Sequence, residues 1–231
     1  MKKIMLIVLY FSLINLLFSL HGKLTYIEGE VFVNYSPADL NQKVDQNDLI
    51  VTGEGKVEVK LSDGKLFRLG PKTKIYLKKL EEKEKKDKKI KIKVIVGKFW
   101  TKVKKIFKKE EYKVEFKMGT AGVRGTIYNI NQFVDDSAEL YVYEGKVEVR
   151  SKKKKKKKPS KDSKRVEVEG PEEIEGPKEI TMEEWIVIVE KMNRISISKK
   201  GELGDPEKFK YKDLEDDEWV NWNLKRDKLA E

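Results

Sequence analysis

The chain has 231 residues, of which 39% are apolar and 39% are charged, and it contains no cysteine and one histidine, His21. This composition provides for one domain of moderate size under a charged surface, with flanking segments. The absence of cysteine excludes disulfides, thiolate metal ligands, a cysteine nucleophile and an acylated lipoprotein cysteine. With a single imidazole near the N-terminus, the sequence favours a non-enzymatic protein and predicts no metal site and no cofactor.

The N-terminus is predicted to direct export. Lys2 and Lys3 precede an apolar run from Ile4 to Leu20, which is the pattern of a secretory signal peptide. The run is also close to the lower length limit of a membrane span, so residues 1–20 form either a cleaved signal or an uncleaved anchor. Both alternatives place the rest of the chain in the periplasm or cell envelope, with no nucleic acid as a partner.

The net charge of +11 comes from two local tracts. Residues 81–109 carry 13 lysines against 4 acids, and residues 150–165 carry 11 basic residues against 1 acid. Basic tracts of this kind can bind anionic polymers or lipid head groups, and the run from Lys152 to Lys158 is the candidate here. The alternative is that both tracts are solvated loops without a ligand.

Residues 25–150 are predicted to form an all-β domain, because short runs alternate between apolar and charged residues with a period of two. Asp63-Gly64 is a hairpin turn signal between two of these runs. About ten short strands with glycine-containing turns indicate stacked antiparallel strands in a sandwich, barrel or solenoid-like roll. The predicted strands are 25–33, 56–61, 66–69, 75–77, 90–96, 99–107, 112–116, 126–130, 138–143 and 146–149. Residues 81–89 contain no apolar residue and are predicted to be a long charged turn or a short exposed helix.

One short sequence occurs twice in the predicted domain. Residues 54–59, Glu-Gly-Lys-Val-Glu-Val, recur identically at 144–149, and residues 27–31 are a looser copy. Each copy is a turn glycine followed by an alternating strand, which indicates structurally equivalent strands. Convergence within a sequence rich in Lys, Glu and Val is the alternative explanation.

The remaining third of the chain changes in character. Residues 151–180 are predicted to be a lysine-rich disordered segment and linker, interrupted by a short strand at 165–168. Residues 181–231 are predicted to form a small helical appendage. Trp185, Ile188, Val189 and Met192 follow helical spacing, and a second helix is expected at about 213–229.

The order of motifs between residues 29 and 149 resembles the FecR domain family. The similar pieces are the opening Gly29-Glu-Val31, the turn from Asp48 through Thr52 and Gly53, the hairpin at Asp63 and Gly64, the signature around Val123-Arg124-Gly125-Thr126, and the closing strand with Glu144 and Gly145. The resemblance covers just over half of the chain. It implies a domain of cell-envelope signalling and assembly.

Classical FecR proteins combine a cytoplasmic sigma-binding domain, a membrane span and an external FecR domain. Here three residues precede the apolar run, so the chain resembles a stand-alone exported FecR protein and direct sigma-factor binding is not expected. The partners that this resemblance implies are other envelope proteins. The alternative function is binding of cell-wall or anionic polysaccharide through the lysine tracts and tryptophans.

Two candidate sites each have two interpretations. Val123 to Thr126 form either an anion-binding loop or, as favoured here, a structural turn in which Gly125 permits close backbone approach and Arg124 bonds neighbouring carbonyls. Trp219 and Trp222 form either a sugar-stacking platform or, again favoured, an anchor that docks the last helix on the sheet.

Overall fold

The computed structural model describes residues 20–84, 87–103, 110–123, 125–151 and 186–229. These residues form 17 strands, a 3₁₀ turn at Tyr211–Leu214 and one α-helix, α1, at Glu218–Leu229. The first nine strands are β1 Gly22–Glu28, β2 Val31–Val33, β3 Ser36–Pro37, β4 Lys43–Val44, β5 Leu49–Thr52, β6 Lys56–Leu61, β7 Leu66–Leu69, β8 Lys74–Glu84 and β9 Asp87–Val103. The others are β10 Glu111–Phe116, β11 Gly119–Val123, β12 Thr126–Gln132, β13 Ala138–Glu144, β14 Lys146–Ser151, β15 Ile186–Glu190, β16 Asn193–Ile197 and β17 Glu207–Lys208.

The strands form two layers that share the long strand β9. Layer A has the order β4-β1-β6-β7-β9-β12-β13-β16-β17. Layer B has the order β3-β2-β5-β8-β9-β10-β11-β14-β15. All of these pairs are antiparallel except β9 with β10. The predicted all-β sandwich or roll with stacked strands is therefore confirmed.

The main core lies between the layers, because the inward face of each strand is apolar. Val57, Val59 and Phe67 of layer A join the same buried cluster as Ile50 and Val94 of layer B. Alternate residues on these strands point outward, which explains the alternation seen in the sequence. The two layers differ in what covers their outward faces.

Glycines occupy most of the places where the chain passes from one layer to the other. They are Gly29, Gly55, Gly70, Gly97, Gly125 and Gly145, and we call this line of turns the seam. At Gly97, in the middle of β9, φ is +101° and a side-chain carbon would lie 2.5 Å from the Cα of Thr73. At Gly55 a side-chain carbon would collide with the carbonyl oxygen of Glu28 and lie 2.8 Å from the nitrogen of Glu30. Both copies of the repeated Glu-Gly-Lys-Val-Glu-Val sequence begin at this seam.

The described residues of the charged segment, 81–84 and 87–89, belong to two paired strands, so the prediction of a turn or exposed helix over the whole segment is wrong. β8 continues to Glu84 and β9 begins at Asp87. Glu82 lies opposite Lys88, with Nζ and Oε1 3.4 Å apart. Opposite charges that face each other across two strands stabilise this part of the hairpin, which lacks apolar residues.

The prediction of a helix from Trp185 to Met192 is also wrong for the residues that the structure describes, 186–192. Ile186–Glu190 is strand β15, paired with β14, and Asn193–Ile197 is strand β16, paired with β13. Ile186-Val-Ile-Val is a run of β-branched residues, which favour strands over helices. Met192, with φ of +58°, forms the turn between them. The last helix is present as α1, close to its predicted position.

Several predicted segments lie outside the described residues: the leader up to residue 19, the lysine run 152–158, the strand at 165–168, and Arg124. In the part of the chain that the structure does describe, no helix has the length and apolar character needed to cross a membrane.

Candidate binding surfaces

The outward face of layer A is covered by the end of the chain. Trp100, Tyr141 and Tyr143 point away from the main core and pack with Phe209 and Trp219 in a second buried cluster. The rings of Trp100 and Tyr143 lie 4.5 Å apart between centroids. Aromatic burial of this extent accounts for the docking of α1, so this face is an internal interface.

A buried arginine joins α1 to layer A. Arg68 on β7 lies 2.6 Å from Glu58 of β6 and 2.7 Å from Asp227 of α1. Asp227 also accepts a hydrogen bond of 3.1 Å from the indole nitrogen of Trp100, and Asn223 accepts one of 3.2 Å from Arg68. Because Arg68 is fully buried, its charge depends on these partners for compensation.

The same network sets the ionisation of Glu58. Burial raises the pKa of this carboxyl, but hydrogen bonds from Arg68, Thr25 and Arg226 outweigh burial and lower the pKa below its ordinary value of 4.5. The hydroxyl of Thr25 donates to Glu58 over 2.8 Å. The charged form of Glu58 is therefore favoured by folding.

The two candidate tryptophans belong to this interface. Trp219 is 3% exposed and donates its indole hydrogen to Asn129 over 3.2 Å. Trp222 stacks on Trp219 at 5.5 Å, and the guanidinium of Arg226 lies 5.1 Å from the Trp222 ring centroid. The favoured interpretation, an anchor for the last helix, matches this arrangement, whereas a free sugar-stacking platform at these residues does not.

The predicted signature residues lie in turns and at the seam. Asp48 accepts from Asn34 and from the backbone of Asp45, and the hydroxyl of Thr52 donates to the carbonyl of Gly70 over 2.6 Å. A side chain at Gly53 would collide with Glu30. These residues hold chain segments together and do not converge on a cavity.

The other signature residues also lie in turns or at strand ends, and one of them, Val123, lines a groove on layer B. Asp63 and Gly64 form the β6–β7 turn, where Asp63 makes a buried ion pair of 2.6 Å with Lys65. Gly125 has φ of +70°, and a side chain at Gly145, next to Glu144, would collide with the carbonyl of Gly125. The hydroxyl of Thr126 donates to Lys146 over 2.9 Å, and Val123 is buried at the end of β11. Gly125 and Gly145 thus meet at a tight turn, whereas Arg124, on which the choice between the two interpretations depends, lies outside the described residues.

The outward face of layer B carries partly exposed ion pairs. Lys78 lies 2.9 Å from Glu115, and Lys113 lies 2.6 Å from Glu111, whose pKa is lowered by Lys113. A groove of about 420 Å³ crosses β10, β11, β14 and β15 on this side. Its lining includes Glu111, Lys113, Thr120, Gly122, Arg150 and Ile188. Gly122 leaves open space above the sheet, because a side chain there would meet nothing closer than 3.9 Å.

The groove ends at the outer edge of layer B. Within the described ranges, β15 pairs with β14 on one side only. Ile188, in the middle of β15, is 56% exposed. An apolar edge strand with unpaired backbone groups is a site where another chain can add a strand. The sequence analysis missed this site because it assigned Ile188 to a helix.

The described residues thus form a two-layer β structure in which the last segment of the chain covers the outward face of layer A, whereas no described element covers that of layer B. Residues 48–148 match the family model described as FecR protein, so this segment of the chain is a FecR domain. The matched segment runs from the start of β5 into β14. The resemblance seen in the sequence is confirmed.

Two crystal structures are also similar to the chain, both of proteins from Parabacteroides distasonis described as a "putative anti-sigma factor". The first has 15% identity and a TM-score of 0.47, with 69% of this chain and 59% of that chain covered. The second has 16% identity and a TM-score of 0.45, with 68% and 57% covered. The chain therefore spans less than two thirds of either protein. No curated protein matches the chain.

Proposed function

We propose that this FecR-domain protein is an exported, non-enzymatic module that binds another protein of the cell envelope through the outer edge of β15. The observation that carries the proposal is the apolar edge strand, with Ile188 exposed and a groove leading to it. Main-chain hydrogen bonds from an added strand would supply affinity, and side chains in the groove would supply selectivity.

Export is the second part of the proposal. Lys2, Lys3 and the apolar run to Leu20 support it, since a positively charged start before an apolar stretch is the pattern that secretion machinery recognises. The partner is then a protein of the envelope. The alternative, polymer binding, was based on the lysine tracts and the tryptophans. The tryptophans now favour it less, because Trp219 and Trp222 pack against layer A.

The test is purification from intact envelope with a tag after Glu231. A defined protein should co-purify with the wild type and remain bound at high salt, because an apolar edge contact is little screened. The variant Ile188→Lys should lose it, since a lysine on an edge strand opposes strand addition. Val134→Lys is the matched control, because Val134 is 90% exposed on a hairpin of layer A.

Two results would contradict the proposal. One is retention of the partner by Ile188→Lys at wild-type level. The other is recovery of the full-length chain, with its leader intact, as a soluble cytosolic protein.

A further inference from the structure

An aromatic patch lies at the opposite end of layer B from β15. Phe32 stands between the buried Val31 and Val33, and Tyr76 stands between the buried Ile75 and Leu77, so both side chains point outward. A row of paired residues crosses the sheet here, from Pro37 through Phe32 and Val51 to Lys74. We call Phe32, Tyr35, Pro37 and Tyr76 the Tyr35 platform.

Tyr35 is the unusual member of the platform. Asn34 and Tyr35 form a two-residue turn between β2 and β3, with φ of +50° and +67°. Such turns favour Asn followed by Gly, because the second position disfavours a side chain. Asn34 is well suited, since it bonds Asp48 and the backbone of Leu49.

Tyr35 has a strained backbone conformation, and burial of its side chain does not compensate for that strain. Its side chain is 77% exposed, so burial does not offset the strain of a tyrosine in the left-handed region. The ammonium of Lys74 lies 5.9 Å from the ring centroid. Because Lys74 is on the outward face, the ring stands beside that face and is open to solvent. Strain that the fold does not need indicates a function.

The edge beside the platform is closed to an added strand. β3 has two residues, and one of them is Pro37, which has no backbone N–H. Proline on a short edge strand blocks strand addition. A ligand bound in this region would therefore contact the face of the sheet and not its edge.

Polar groups surround those rings. The hydroxyl of Tyr76 donates to Asn47 over 3.3 Å. Asn34 donates to Asp48 over 2.8 Å, and Asp48 precedes Leu49, the residue paired with Tyr76. Flat apolar rings with amide, carboxylate and ammonium groups at their margin fit a molecule with apolar faces and a hydroxyl-bearing rim. A pyranose chain has that form.

We propose that the Tyr35 platform binds an extended polysaccharide, with sugar rings stacked on Tyr35 and Tyr76 and hydroxyls bonded by Asn34, Asp48 and Lys74. The site is distinct from the β15 edge. A chain that held a protein at one end of layer B and a glycan at the other would tether the two. The site uses neither the lysine run at 152–158 nor the tryptophans.

The test is an NMR titration of the full chain with chitohexaose and, separately, cellohexaose. One of them should shift the backbone amide signals of residues 32–36 and 74–76. Tyr35→Gly should weaken that binding about fivefold to tenfold, the loss expected for one stacking aromatic. The same variant should melt at an equal or higher temperature, because glycine accepts the left-handed conformation.

Two controls separate this proposal from the protein contact. Tyr211→Gly removes a tyrosine that is 50% exposed and lies outside the platform, and it should bind sugar like the wild type. Ile188→Lys should also keep sugar binding, whatever its effect on the protein partner. The proposal is overturned if neither oligosaccharide shifts the platform signals, or if Tyr35→Gly binds as tightly as the wild type.

Discussion

The two layers share one strand, one core and the same alternating pattern, yet their outward faces differ. Layer A carries aromatic residues outward and buries them under α1 through the Arg68 network. Layer B carries partly exposed ion pairs such as Lys78 with Glu115. Stability should therefore depend strongly on charged groups in layer A and weakly on those in layer B.

The largest expected effect comes from Arg68→Ala. Removal of this side chain leaves Glu58 and Asp227 buried without their main partner, which costs about 3–5 kcal/mol. Urea unfolding measures the loss, and hydrogen exchange should become faster in α1. Arg150→Ala is the matched control on layer B, where the arginine pairs with Glu148 at the surface, and it should cost less than about 1 kcal/mol. Equal losses from the two variants would contradict the claim that stability depends more on charged groups in layer A than on those in layer B.

The next effect concerns the seam that joins the layers. Gly97→Ala should destabilise the protein by about 2–4 kcal/mol, because it combines a left-handed backbone with overpacking against Thr73. Gly64→Ala is the control: its φ is +86°, but nothing lies within 4 Å of the added carbon. It should cost about 1–2 kcal/mol. In thermal unfolding, Gly97→Ala should therefore melt at a lower temperature than Gly64→Ala. The reverse order would contradict the role assigned to Gly97.

Acid should weaken layer A through Glu58. Its pKa is lower in the folded protein than its ordinary value of 4.5, so its contribution is fully present above that value and is lost as the pH falls through the folded pKa. Glu58→Gln should be less stable than the wild type at neutral pH. The difference between the two unfolding free energies should shrink as the pH falls from about 5 to 3. Curves that stay parallel over this range would exclude the assigned role of Glu58.

The smallest effect is expected on layer B. A double-mutant cycle on Lys78→Ala and Glu115→Ala should give a coupling free energy of about 0.2–1 kcal/mol, since the Lys78 side chain is 40% exposed. The coupling should decrease at high salt. A coupling of several kcal/mol would mean that this face is also part of the stabilising structure.

The sequence predicted most strands of both layers, because one face of each strand is apolar and the period of two is visible. It also predicted the glycine turns, since Gly-containing turns recur between alternating runs. The family resemblance depended on the same features. The run Leu140-Tyr-Val-Tyr143 in β13 carried a further signal, because four successive apolar residues indicate a strand covered on both faces.

The charged network that holds α1 on layer A could not be predicted from local pattern. Arg68 is one charged residue in an alternating strand, and its partner Asp227 lies 159 residues away in the sequence. Nothing local distinguishes it from an exposed arginine. The β15 edge was missed for a different reason: Ile188, Val189 and Met192 also fit helical spacing, and the β-branched composition of the segment was the better guide. The Tyr35 platform depends on a positive φ that only the structure shows.

Site-specific photo-crosslinking tests the central claim, that binding occurs on layer B and not on the side covered by α1. A benzophenone side chain would be placed at Ile188 on β15 and, in a second protein, at Lys225, which is exposed on α1. Irradiation of intact cells should join the position-188 protein to one defined envelope protein and leave the position-225 protein without that adduct. An adduct from position 225 alone would contradict the assignment of the binding surface to layer B.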